Sequence, residues 1–135
     1  MRTTLNALVL PALLAVTSFA CAAPNAPAVL CHYPYGGEEK TLLARPVSSP
    51  YTLEPTAVGS YFLLKVVFQT TPKDQAGIKI YVYADREPVP VPIQQVNFLY
   101  PPRAQGSGGY GFTGQHWVYE PVRDGEMQYW CEMKP

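Results

Sequence analysis

The chain has 135 residues, of which 47% are hydrophobic and 15% are charged, with ten basic and ten acidic side chains. The charges balance and form no basic stripe along the sequence, so we expect no nucleic-acid partner. The length suffices for one domain with its own hydrophobic core but not for two.

The first segment has the pattern of a secretory signal peptide. Arg2 provides a positive start, and residues 5–16 form an apolar run too short to span a membrane. Small residues at 20–22 fit a signal-peptidase site, which predicts a mature chain from Ala23. The alternative is a lipoprotein signal, in which Cys21 is acylated and anchors the protein to the envelope. Either way we expect a bacterial protein exported to the periplasm or the cell exterior.

Three cysteines are an odd number for an exported protein. Cys21 is removed or acylated under both interpretations, which leaves Cys31 and Cys131 as a predicted disulfide in an oxidising compartment. Such a bond closes a loop of about 100 residues, which the chain-entropy argument values at about 4.7 kcal/mol. Residues 23–135 then form one domain, after a short lead-in at 23–27. That domain contains no second apolar run long enough to span a membrane.

Apolar and polar residues alternate with a period of two after residue 28, which predicts an all-β domain. In residues 60–70, alternation places Phe62 and every second residue to Phe68 on the core face and the intervening side chains outside. The same argument applies to the next strand. The predicted strands cover residues 28–33, 40–47, 52–58, 60–70, 78–85, 87–100, 116–122 and 126–133.

Prolines and glycines mark the edges and loops of this domain. Pro55 removes a backbone donor, so its strand belongs at a sheet edge. Prolines occupy every second position of residues 87–93, which also protects an edge while Val89 and Val91 can still face the core. Residues 101–115 are rich in glycine and predict a flexible loop.

Seven or eight strands at this spacing favour a small sandwich of two sheets. The end of the chain resembles the tyrosine-corner segment of immunoglobulin domains, because Tyr129 stands two residues before Cys131. The two cysteines are farther apart than in those domains, and little follows Cys131. The resemblance therefore implies an immunoglobulin-like β-sandwich shape and identifies no family.

Asp124-Gly125 is a strong signal for a two-residue hairpin turn. The resulting register places Val118 opposite Cys131 and His116 opposite Met133 on the core face. A histidine beside a methionine, with His32 nearby, suggests a soft-metal site for copper, although there is no histidine or methionine cluster and no CxxC. These are weak candidates, and we expect no cofactor.

The opposite face of the same hairpin gathers Trp117, Tyr119 and Trp130, with Tyr119 predicted to lie directly across from Trp130. Tyr110 and Phe112 in the glycine-rich loop can join this aromatic surface. Exposed aromatic side chains provide a large contact area at low entropic cost, so we interpret this surface as a binding site for a protein or a glycan. The alternative is that these rings only pack across strands or cover one end of the core.

The sequence provides little support for catalysis. No serine lies in a GxSxG motif, and only two histidines are available as a general base. Neighbouring carboxylates flank predicted turns, where solvated charges are common. We therefore predict a binding or structural accessory module and not an enzyme; a hydrolase would need a cleft that the sequence does not indicate.

Overall fold

The computed structural model describes residues 26–103 and 108–135. The predicted signal peptide at 1–22, Cys21 and the central residues 104–107 of the predicted loop lie outside the described residues. Within them the chain forms eight strands and two single-turn 3₁₀ segments. The strands are β1 (Ala28–Tyr35), β2 (Glu38–Ala44), β3 (Thr56–Val58), β4 (Phe62–Gln69), β5 (Gly77–Ala84), β6 (Val91–Leu99), β7 (His116–Glu120) and β8 (Gly125–Lys134).

The strands form two antiparallel sheets of four strands each, which confirms the all-β prediction. Sheet I has the order β2-β1-β8-β7, and sheet II has the order β3-β4-β5-β6. Strands adjacent in the chain pair within each sheet, and β1 and β8 join the two ends of the domain. In the described part of the chain, no helix has the length and apolarity needed to cross a membrane.

This order differs from that of an immunoglobulin domain. An immunoglobulin sandwich has Greek-key connections and a disulfide that joins its two sheets. Here β3 to β6 follow one another as a meander, and the Cys31–Cys131 disulfide joins neighbouring strands of sheet I. The resemblance of the C-terminal segment to the tyrosine corner therefore does not extend to the connectivity.

A single buried cluster combines side chains from both sheets, as expected of a sandwich-like fold. Phe62, Leu64 and Phe68 of β4 face the core as predicted, and Ile78 and Ile80 of β5 join them. Each of these side chains is almost fully removed from water, and burial of each contributes about 1.5–3 kcal/mol.

The second half of β4 is buried on both faces, which the alternation did not predict. Val67 and Gln69 are buried at the end of β4 beside which the chain that follows β2 lies. The Val47 N–H donates to the Phe68 carbonyl at 2.8 Å, and the Gln69 amide donates to the Ser48 carbonyl at 3.4 Å. A segment distant in sequence therefore lies along this edge of β4.

β3 and β6 are both edge strands, as their prolines indicated. The prediction that Val89 and Val91 face the core is wrong, because both are exposed; Ile93 packs partly against the core. The strand begins only at Val91, and the pairing of β6 with β5 shifts register between Val82 and Tyr83. The irregularity ends the regular alternation at this edge.

The predicted disulfide is present between Cys31 and Cys131. The two residues are direct neighbours on β1 and β8, with Cα atoms 4.0 Å apart, and both are fully buried. This spacing is that of an antiparallel pair whose backbone groups point away from each other. The N–H and carbonyl of Cys131 therefore face the opposite side of β8 and need other partners.

The β7–β8 hairpin pairs in a different register from the predicted one. Val118 lies opposite Met127 and not opposite Cys131, a shift of four residues. The reason is the carboxylate of Glu120, which accepts hydrogen bonds from the backbone N–H of Arg123 at 2.8 Å and of Val122 at 3.4 Å. The chain turns around this carboxylate in a wider loop. Because the shift is an even number of residues, the faces of both strands are unchanged.

Candidate functional site

The outer face of sheet I carries the aromatic surface that the sequence predicted. Trp117 and Tyr119 project outwards from β7 because Val118, between them, points into the core. The two residues keep 58% and 55% of their surface exposed. Trp130 of β8 and Tyr110 lie on the same face, Trp130 half-buried and Tyr110 exposed. We call these four residues the aromatic face.

The pairs within the aromatic face differ from the prediction. The expected contact between Tyr119 and Trp130 is wrong, because in the observed register Tyr119 lies opposite Glu126. Trp117 lies opposite Gln128. Each exposed ring of β7 therefore has a polar side chain directly across from it on β8.

These polar side chains form a hydrogen-bonded row. The amide of Gln128 donates to Glu126 at 3.2 Å, and its oxygen accepts from the amide of Gln115 at 3.0 Å. A side-chain amide can both donate to and accept from a ligand, and an ionised carboxylate accepts. The row places these groups next to the rings of Trp117 and Tyr119.

Tyr119 is held in place at the tip of the hairpin. Its hydroxyl donates to the carboxylate of Asp124 in the β7–β8 loop. The pKa of Tyr119 is raised, first by this hydrogen bond, then by partial desolvation and by the negative charges of Asp124 and Glu120. The ring therefore lies in a region of negative potential.

Trp130 packs on a histidine of the neighbouring strand. The ring of His32 is parallel to that of Trp130, with centroids 3.9 Å apart, and Tyr110 meets Trp130 edge-on at 6.0 Å. The two ring nitrogens of His32 lie 2.9 Å from a Glu39 oxygen and 3.0 Å from a Glu132 oxygen. This packing fixes Trp130 and makes it a less exposed member of the aromatic face.

A cation at the end of β8, Lys134, offsets part of the negative charge of the carboxylates beside His32. The ammonium of Lys134 lies 2.9 Å from Glu132. The pKa of Glu132 is lowered, mainly by its hydrogen bond with Lys134 and then by that with His32, against the opposing effect of burial. The carboxylates around Trp130 thus have basic partners.

The prediction that Phe112 belongs to the exposed surface is wrong. Phe112 keeps 5% of its surface exposed and packs edge-to-face on Phe98 at 5.2 Å. Its N–H donates to the Cys131 carbonyl at 3.0 Å, and the Thr113 hydroxyl accepts from the Cys131 N–H at 2.8 Å. Phe112 and Thr113 thus supply the hydrogen-bond partners that the Cys131 backbone does not have on β1. The C-terminal part of the predicted flexible loop is therefore packed along β8.

The three weak metal candidates do not come together. His116 points into the core, where its ring lies parallel to that of Tyr129 at 5.0 Å, whereas His32 is on the outer face. Met133 lies four residues beyond Tyr129, about 13 Å along the strand. Among residues 26–103 and 108–135, no group of three or more histidine, cysteine or acidic side chains is arranged to hold a metal ion.

One charged cluster was missed by the sequence analysis. Glu120 is fully buried at one end of the sandwich, where it pairs with Arg86, after β5 of sheet II, and with Arg123 at 3.2 Å. Burial would raise the pKa of Glu120, but hydrogen bonds from the Arg123 backbone and from both guanidinium groups lower it to about 2. The sequence did contain one signal of this cluster, because Glu120 is an acidic residue at a core-facing position of the alternating strand β7. The cluster joins the two sheets.

A comparison of the chain with known protein families, curated proteins and solved structures finds no match.

Proposed function

We propose that this protein is an exported bacterial binding module that takes a glycan on the aromatic face. The observation that carries the proposal is the exposure of Trp117 and Tyr119, each more than half exposed, on one side of a strand. The backbone of both residues is held in a hydrogen-bonded sheet, and the Tyr119 hydroxyl is bonded to Asp124, which lowers the entropic cost of binding a ligand there. Large exposed rings placed together are uncommon on a protein that binds nothing.

The polar row favours a glycan over a protein ligand. A sugar has apolar faces that can stack on aromatic rings and hydroxyl groups at its edge that need hydrogen-bond partners. Trp117 and Tyr119 offer the rings, while Gln128 and Glu126 offer the partners directly across the hairpin. The centre of a protein-binding hot spot is typically apolar and surrounded by a polar rim. Here polar groups lie among the rings.

The location of the protein is part of the same proposal. The signal-peptide pattern of residues 1–22 supports export of the domain to the periplasm or the cell exterior, where cell-envelope or environmental polysaccharides would be its ligands. Acylation of Cys21 would instead anchor the same domain to the envelope. A non-enzymatic accessory role agrees with both locations.

The test is affinity electrophoresis and calorimetry of the mature protein with a panel of soluble neutral, amino-bearing and acidic polysaccharides. We expect Trp117→Ala and Tyr119→Ala each to weaken binding by about tenfold or more, as for central aromatic residues of an interface. The matched control is Tyr51→Ala, which removes a ring with 92% of its surface exposed outside the aromatic face. It should bind like wild type.

Two results would overturn the proposal. The first is unchanged binding in both aromatic variants while their folds, checked by circular dichroism, remain native. The second is failure of every polysaccharide to bind, combined with a protein ligand that needs Trp117, which would replace the glycan by a protein partner.

A further inference from the structure

The exposed end of the aromatic face carries negative charge with no cation paired to it. Glu126 lies opposite Tyr119, and Asp124 accepts the hydrogen bond of the Tyr119 hydroxyl. Both carboxylates are exposed, and within residues 26–103 and 108–135 neither of them forms an ion pair. Two acidic groups thus adjoin Tyr119, which lies two residues from Trp117 on the same side of β7.

The arginine next to this pair in sequence is turned away from it. The Nε of Arg123 lies 3.2 Å from Glu120, and its Nη2 donates to the Tyr61 carbonyl at 3.1 Å. Its guanidinium also lies over the Tyr61 ring, 4.4 Å from the ring centroid. The guanidinium of Arg123 is therefore paired with Glu120 at the end of the sandwich and not with Asp124 or Glu126.

The other end of the aromatic face differs in charge. Beside Trp130, the carboxylates of Glu39 and Glu132 lie against His32, and Lys134 lies against Glu132. Lys134 thus offsets the charge of Glu132 at that end, whereas neither Glu126 nor Asp124, beside Tyr119, is in an ion pair within the described part of the chain. The raised pKa of Tyr119, whose causes include the charges of Asp124 and Glu120, agrees with this potential.

We propose that the ligand of the aromatic face is a glycan whose sugars carry free amino groups, bound at Trp117 and Tyr119. This inference rests on the proposed function and names its ligand class. An ammonium group is attracted to the faces of tryptophan and tyrosine rings. The carboxylates of Glu126 and Asp124 add a charge-assisted hydrogen bond. The carboxylate of a uronic acid at the same place would be repelled by the carboxylates of Glu126 and Asp124.

The experiment compares three soluble oligomers of equal length and linkage: an oligomer of glucosamine, its N-acetylated form, and an oligomer of glucose. Binding to the mature protein is measured by calorimetry at mildly acidic pH, where the sugar amines are protonated, at low and high salt. We expect the glucosamine oligomer to bind most tightly, and its advantage to shrink at high salt because exposed charges are screened.

The decisive variant is Glu126→Gln, which keeps the size and the hydrogen-bonding capacity of the side chain. We expect it to weaken binding of the glucosamine oligomer by about two- to fivefold, the range of an exposed charge pair, and to leave the neutral oligomers unchanged. Asp124→Asn is a second variant, since asparagine also tolerates the positive φ of 56° at this position. Glu54→Gln removes an exposed carboxylate next to β3 and is the matched control.

The outcomes separate this inference from the proposed function. If the three oligomers bind equally well and Trp117→Ala abolishes their binding, the glycan-binding proposal stands and the amino-group inference is overturned. A glucosamine preference that persists in both Glu126→Gln and Asp124→Asn also overturns it. Absence of binding to all three and to the wider panel overturns the proposed function itself.

Discussion

Gly111 is a residue at which an added methyl group would collide with the backbone of another strand. Its φ is +58°, and a Cβ built there lies 2.1 Å from the backbone oxygen of Cys131. The obstacle is backbone within the disulfide-bonded strand, so it cannot rotate away as a side chain could. We therefore predict that in Gly111→Ala the segment carrying Phe112 and Thr113 separates from β8.

The cost follows from the contacts that this separation breaks. The left-handed conformation of an alanine costs about 1–2 kcal/mol. Loss of the two hydrogen bonds to Cys131 costs about 1 kcal/mol each. Exposure of the Phe112 ring adds about 1.5–3 kcal/mol. Full separation thus lowers the free energy of unfolding by about 4.5–7 kcal/mol, against a total of about 5–15 kcal/mol for a domain of this kind.

The assay is urea denaturation of the oxidised protein followed by tryptophan fluorescence and circular dichroism. The matched control is Gly109→Ala, because Gly109 also has a positive φ, +75°, but a Cβ there meets nothing within 4 Å. We expect this control to lose only the backbone cost of about 1–2 kcal/mol. Equal losses in the two variants would refute the reasoning, since the contact with Cys131 would then contribute nothing.

Three further predictions concern buried groups. Glu120→Gln should lower the midpoint of urea denaturation and make that midpoint less dependent on pH in the acidic range. The native carboxyl has a pKa of about 2 against an ordinary 4.5, so its contribution is complete above 4.5 and is lost as the pH falls towards 2. Parallel pH profiles of variant and wild type would contradict this. Tyr129→Phe removes the 2.7 Å hydrogen bond to Gln94 and should cost about 1 kcal/mol or more. Burial raises the pKa of Tyr129, so wild type should also lose stability as the pH rises above 10, a loss that should be smaller in the variant. Replacing Cys31 and Cys131 together with alanine should cost about 2–5 kcal/mol in urea denaturation, and an unchanged midpoint would show that the bond does not restrict the unfolded chain.

Much of the sandwich could be predicted because alternation is a local property of a strand. Phe62 and Leu64 read as core from their own neighbours, and they are core. The prolines indicated the edge positions of β3 and β6 because a missing N–H removes a ladder hydrogen bond that a central strand needs. The disulfide followed from elimination of one cysteine by the expected export. None of these conclusions needed knowledge of which strands lie beside each other.

The candidate site could be predicted in part for the same reason. Trp117 and Tyr119 flank Val118, so their outward direction follows once the strand is recognised. Their cross-strand partners do not follow, because the strongest turn signal, at Asp124-Gly125, is overridden by the carboxylate of Glu120. A side chain that accepts two backbone N–H groups makes the wider loop the better-satisfied one.

The sequence by itself determined the fold class, the core-facing residues of the central strands and the disulfide, since these depend on alternation, composition and compartment. Only the tertiary structure decided the register of the last hairpin, the burial of Phe112 against β8 and the stacking of Trp130 on His32. Each of these depends on a contact between residues of different segments. Such contacts depend on hydrogen-bond satisfaction and packing in three dimensions. Hydrophobic periodicity within one strand carries no information about them.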